Sequence, residues 1–136
     1  MISQNFTNRF IQKYIVKREE SLLSEDVEYA TKDLSEAIRG RSFLITGGAG
    51  TIGSSYLKVI LPFHPGKITV VDYNENGLTE LVRDLRSTWG LKIPEHFITY
   101  PFDFGSPVFK KLMSKEKFDT IASFAAHKHV RSEKDV

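Results

Sequence analysis

The chain has 136 residues, 40% of them hydrophobic and 26% charged, with ten Phe, five Tyr and one Trp; this is the composition of one globular domain and excludes disorder for the bulk of the chain. Lys and Arg number 19 against 17 Asp and Glu, leaving a formal charge of +2, too weak and too evenly spread to mark a nucleic-acid or anionic-membrane surface. Cysteine is absent, which excludes disulfides, thiolate metal sites and a Cys nucleophile, and makes a cytoplasmic location the expectation.

The first 20 residues alternate apolar with polar and charged side chains and lack the apolar core of a signal peptide. Residues 5–38 read as helical: Phe6, Phe10 and Tyr14 share a stripe, and Leu22, Leu23, Val27, Leu34, Ala37 and Ile38 recur at helical spacings. They form a helical N-terminal arm over 1–40, ahead of a main domain over 41–136. The aromatic stripe has two readings, packing on its own domain or covering a second subunit of a homo-oligomer.

Gly40 is a helix C-cap candidate, after which Ser42–Thr46 is a short apolar strand. A glycine-rich turn, Gly47–Gly53, leads into a helical stretch over Ser54–Leu61 that Pro62 and Pro65 end. Lys67–Asp72 is a second strand, Gly77–Trp89 a helix, His96–Tyr100 a third strand, Pro107–Lys117 a helix and Asp119–Ala126 a fourth strand. Strands alternating with helices predict an α/β fold, a Rossmann-type doubly wound parallel sheet of about four strands. The longest apolar stretches fall far short of the ~20 residues of a membrane span.

Gly47, Gly50 and Gly53 recur every three residues directly between a strand and a helix. In that context the first glycine permits the tight turn, the second lets backbone N–H groups reach a pyrophosphate, and the third permits close packing of the helix. The helix N-terminus favours the phosphate charge. Asp72 ends the second strand 19 positions after Gly53, near the ~20 at which a carboxylate reaches the adenosine ribose hydroxyls and repels a 2′-phosphate. The pair predicts NAD rather than NADP as cofactor; taken alone, Asp72 reads as a turn or capping residue.

The spacing Gly-x-x-Gly-x-x-Gly behind Thr46 resembles the extended short-chain dehydrogenase/reductase superfamily. Ser21–Ser24, Asp33–Arg41, Asp72–Leu78, Glu80–Leu85 and Ala125-Ala126-His127-Lys128-His129-Val130 resemble its polysaccharide-biosynthesis branch, the capsule-type nucleotide-sugar 4,6-dehydratases and epimerases. The resemblance covers residues 20–136. It implies that Gly47, Gly50, Thr51, Ile52 and Gly53 hold a pyrophosphate and Asp72 the adenosine ribose. It further implies Asp103 and Phe104 at the adenine, Ala125 and Ala126 at the nicotinamide ribose, and Lys128 where cofactor meets a nucleotide-sugar substrate. Arg131 stands where the family has Pro, and Gly105-Ser106 replace a charged pair after Asp103.

The family's proton-handling Tyr-x-x-x-Lys pair is absent: Arg18, Asp33, Ile60, Gly77 and Phe104 stand four residues after the five tyrosines. The expectation is therefore the N-terminal, cofactor-binding part of a longer enzyme, inactive alone, with no catalytic residue assigned within it. The rival is a stand-alone NAD-binding or regulatory module without catalysis. The remaining candidates have bland readings. His127 and His129 read as strand-end histidines rather than a metal pair, Lys110, Lys111, Lys115 and Lys117 as a solvated helix face, and Phe97, Phe102, Phe109, Phe118 and Phe124 as core.

Overall fold

A computed structural model of the chain describes residues 10–17 and 24–125. Two compact units divide it, Met1–Leu34 and Ser35–Val136. In the first, Ile11–Val16 forms a π-helical turn that Lys17 closes in the left-handed region, φ 55°. The exposed rings of Phe10 and Tyr14 lie 5.0 Å apart there. Helix α1 covers Ser24–Tyr29 within the first unit, and α2, Thr31–Ile38, runs across the boundary at Leu34. The helical reading of 5–38 is thus realised in pieces, and Phe6, Leu22 and Leu23 lie outside the described residues.

The second unit is built on four parallel strands, β1 (Ser42–Thr46), β2 (Lys67–Asp72), β3 (His96–Pro101) and β4 (Thr120–Ser123), in the order β3-β2-β1-β4. The helices are α3 (Thr51–Ile60), α4 (Glu75–Ser87) and α5 (Pro107–Lys115). Parallel partners point the same way, so Phe43, Ile45, Ile68, Val70, Phe97 and Thr99 share one face, and Leu44, Thr46, Thr69, Val71, Ile98 and Tyr100 the other. Phe97 and Thr99 line a groove with α4, which puts α4 on the first face; the right-handed crossover rule sends α5, between β3 and β4, to the second.

The core sits at the two central strands. Leu44, Ile45, Ile68 and Val70 are fully buried in β1 and β2, with Leu57, Leu61 and Leu85 beside them, each stabilising by about 1.5–3 kcal/mol. Coverage on both faces explains why these strands are continuous apolar runs rather than alternating ones. Phe97, Phe102, Phe109, Phe118 and Phe124 are only half-buried; among the described residues the fully packed phenylalanine is Phe43. Phe97, Phe102, Phe118 and Phe124 lie on edge strands or their flanks, where one neighbour is missing, and Phe109 lies on α5. α5 likewise buries no residue completely.

Caps set the helix bounds. α3 begins at Thr51, three residues before the start read from hydrophobic spacing, because Gly50 takes the extended N-cap conformation. α4 begins at Glu75 because the Asn74 side chain accepts from the Gly77 N–H at 2.9 Å. Ser106 caps α5 by accepting from Phe109 N–H at 3.2 Å. β4 is shorter than the expected 119–126, since Asp119 turns its carboxylate to Ser42 and, among the described residues, the last bond to β1 is Phe124 N–H to Thr46 O.

Candidate functional site

All four strands run parallel, so the segments that follow them emerge at one edge of the sheet, the edge at which open α/β sheets bind ligands. Gly47 leaves β1 with φ +71° and donates its N–H to Val71 O at 2.8 Å. A Cβ there would stand 2.5 Å from Ala125 N and 2.6 Å from the Phe124 carbonyl carbon. The glycine therefore serves two ends: a left-handed turn, and the close approach of the chain leaving β4. Gly53, buried in the first turn of α3, would overlap Gly47 O if it carried a side chain, and its Cβ would lie 2.7 Å from Gly48 Cα. Its small size serves the fold-back of α3 onto the turn itself.

Gly50 differs from both. Its φ is −73°, and an added Cβ would meet only Gly47 O, at 3.4 Å. Nothing in the packing of the chain demands glycine there, while the position sits at the mouth of the α3 N-terminus. Ser54 N–H makes the first intrahelical bond, to Gly50 O at 2.9 Å. The N–H groups of Thr51, Ile52 and Gly53 precede it and lack i−4 partners, and the side chains of Thr51 and Ile52 are exposed, Ile52 to 70%. Backbone donors and a helix dipole thus converge on one open point, an arrangement suited to an anion.

Asp72 stands across from this turn at the end of β2. Its Oδ2 accepts from Ala49 N–H at 3.0 Å and its Oδ1 from Asn74 N–H at 3.0 Å. The turn-residue reading of Asp72 and a place beside the glycine turn therefore hold together. An ionised carboxylate has about four acceptor positions, so two remain for outside donors.

Asp103 and Phe104 follow β3 at the same edge, two and three residues past Pro101, which pairs with Asp72. The Asp103 carboxylate accepts from Gly105 N–H at 2.6 Å and its carbonyl from Ser106 N–H at 3.0 Å, shaping the entry to α5. Among the described residues no hydrogen bond ties Asp103 to the glycine turn or to Asp72. Phe104 is 49% exposed. Ala125 is half-buried against Gly47. Ala126, Lys128, His127 and His129 lie outside the described residues.

Four further residues in or beside the turn were not among the site candidates: Gly48, Thr46, Ser123 and Tyr56. Gly48 is buried, and a side chain on it would overlap Val70; the Gly47-Gly48 doublet was its only signal. Thr46 Oγ1 and Ser123 Oγ lie 2.9 Å apart and tie the ends of β1 and β4. The Tyr56 ring packs 5.1 Å from that of Phe124. Burial raises the Tyr56 hydroxyl above its usual pKa, so it is a neutral phenol at ordinary pH. A groove of about 680 Å³ lies elsewhere, between α4 and β3, lined by Leu78, Val82, Thr99 and Pro101 among others. It contains none of the glycine-turn residues, nor Asp72, Asp103 or Phe104; the glycine turn offers backbone donors on an open surface, which needs no deep cavity.

Residues 43–135 match the family described as polysaccharide biosynthesis protein. The chain is 31% identical over 115 residues to the probable polysaccharide biosynthesis protein EpsC of Bacillus subtilis (strain 168), covering 85% of this chain and 19% of that protein. It is 30% identical over 113 residues to the capsular polysaccharide biosynthesis protein CapD of Staphylococcus aureus, covering 82% of this chain and 18% of the other. The chain thus spans about a fifth of the length of these relatives. Among solved structures, Pen from Bacillus thuringiensis aligns with a TM-score of 0.56 at 26% identity, over 68% of this chain and 28% of that one. The epimerase Mth375 of Methanothermobacter thermautotrophicus shares the fold, with a TM-score of 0.52 at 20% identity over 79% of this chain and 27% of its own. The match begins in β1, takes in the glycine turn and Asp72, and runs on past β4: the chain belongs to the polysaccharide biosynthesis protein family.

Proposed function

We propose that this chain is the NAD-binding part of a nucleotide-sugar dehydratase or epimerase acting in cell-surface polysaccharide synthesis, with 41–136 as the binding domain and 1–40 as an arm before it. The observation that carries the reading is the open N-terminus of α3 at Gly50, facing a carboxylate that is itself tied to the same turn. The residues present fit the group. Thr51, Ile52 and Gly53 offer N–H donors to a pyrophosphate, Gly50 leaves room for it, and Asp72 keeps acceptor positions for ribose hydroxyls. Asp103 and Phe104 are assigned to the adenine end, and Ala125, Ala126 and Lys128 to the nicotinamide end.

When bound, the nicotinamide supplies hydride acceptance and return at the sugar carbon. The chain's own residues bind and orient. The phosphate end is fixed by backbone donors that need no reorganisation, and the Asp72 charge disfavours a 2′-phosphate. Regeneration of the cofactor within each cycle goes with NAD that does not exchange. Family membership supports this reading over a regulatory module without chemistry. Calorimetry with NAD and NADP tests it: the chain binds NAD and discriminates against NADP, and Asp72→Ala weakens NAD or narrows the discrimination. Unchanged affinity for both cofactors in the variant removes the ribose contact from the assignment, and no binding of NAD to the unsubstituted chain removes the reading itself.

A further inference from the structure

Asp72 does more in this structure than end a strand beside a ribose position. Its two oxygens grip two different turns, Ala49 N–H in the β1–α3 turn through Oδ2 and Asn74 N–H in the β2–α4 turn through Oδ1, both at 3.0 Å. Asn74 in turn caps α4 at Gly77 N–H. The first turn of α4 also approaches the glycine turn, since a Cβ on Gly77 would lie 3.0 Å from the Ala49 Cβ. Ala49 is the residue between Gly48, locked on Val70, and Gly50, the open N-cap of α3. Whatever fixes the Ala49 peptide therefore fixes where the phosphate-facing N–H groups begin.

We propose that Asp72 is a positioning residue for the phosphate-binding turn: its carboxylate staples Ala49 to the β2–α4 turn and so sets the pyrophosphate donors, independently of any ribose contact. The proposal rests on the nucleotide-binding reading above. Hydrogen bonds to an ionised carboxylate are among the stronger ones in proteins, and Asn at this position presents one acceptor oxygen in place of two, so Asp72→Asn keeps at most one of the two backbone bonds.

The experiment compares the unsubstituted chain with Asp72→Asn, using ADP and 2′,3′-dideoxy-ADP as calorimetric probes and hydrogen exchange at the Ala49 amide. The dideoxy probe lacks the ribose hydroxyls, so a ribose contact cannot affect it. The staple predicts that Asp72→Asn weakens the dideoxy probe roughly tenfold and speeds Ala49 exchange by a similar factor, with Leu44 and Val70 unaffected. Weakened ADP with unchanged dideoxy-ADP binding and unchanged Ala49 exchange overturns the staple and leaves the nucleotide-binding reading intact. If the unsubstituted chain binds neither probe, that reading fails, and Ala49 exchange alone decides: faster in the variant supports the staple, equal overturns it. Should the variant not fold, NMR on the unsubstituted chain decides. A scalar coupling across the hydrogen bond between the Ala49 amide ¹⁵N and the Asp72 carboxyl ¹³C supports the staple; its absence overturns the proposal.

Discussion

Gly47, Gly50 and Gly53 look alike as a motif, and their surroundings separate them. Gly47 carries a positive φ and lies against the backbone of Phe124 and Ala125, and Gly53 lies against the turn's own carbonyl. A Cβ on Gly50 would meet only Gly47 O, at an ordinary contact distance of 3.4 Å. Gly47→Ala is expected to cost about 2–4 kcal/mol from strain and overlap together, read as a lowered urea midpoint. Gly50→Ala is expected to cost no more than about 1 kcal/mol, the scale of an N-cap change, yet to weaken ADP by crowding the phosphate approach. Equal destabilisation by the two substitutions would contradict the division between a structural and a ligand-facing glycine. The three-residue spacing was legible in the sequence; which glycine answers to packing was not, because the clashing atoms of Gly47 belong to residues 77 and 78 positions later.

At the scale of elements, bonds at both ends of the strands hold the sheet in register. Thr46 and Ser123 join β1 to β4 at the ligand edge. At the opposite edge Asp119 accepts from Ser42 N–H and from Ser42 Oγ, each at 2.8 Å. The Ser42 backbone N–H, then its hydroxyl, hold the Asp119 carboxyl below its usual value of 3.8, with a smaller contribution from Arg41. A carboxylate lowered in the folded state stabilises the fold fully above its ordinary value, and the contribution fades as pH falls through 3.8 toward the lowered one. Thermal melts from pH 6 downward should therefore show Asp119→Asn losing less stability on acidification than the unsubstituted chain; parallel curves would dismiss the linkage. Strand existence and order of appearance were readable from apolar runs between glycine and proline signals. Helix starts were not: caps such as Asn74 and Ser106 act through side-chain geometry, which shifts the boundary by residues that hydrophobic spacing ignores.

For the whole molecule, the order β3-β2-β1-β4 leaves the outer side of β4 without a partner among the described residues. Ile121, paired with Leu44 on the β1 side, is 54% exposed there. An open strand edge with a half-exposed apolar side chain is a template for pairing with another chain. Sedimentation of the 136-residue chain should show association that grows with concentration, and Ile121→Lys should reduce it. A unsubstituted chain that stays monomeric at high concentration would show the edge to be already satisfied.

By itself the sequence determined the α/β alternation, the four strands, the glycine turn and the acidic residue at the end of β2. All of these are local: periodicity, turn chemistry and spacing act within about 20 residues, and a parallel sheet with short connections has few other ways to be built. Only the tertiary structure decided that Asp72 grips the glycine turn, that Gly48 belongs to the core, that Ala125 rests on Gly47, and that the phenylalanines of β3 and its flanks are half-covered. Each of these depends on which strands become neighbours. That is set by burying β1 and β2 between layers, a cooperative packing outcome that no single segment of the chain encodes.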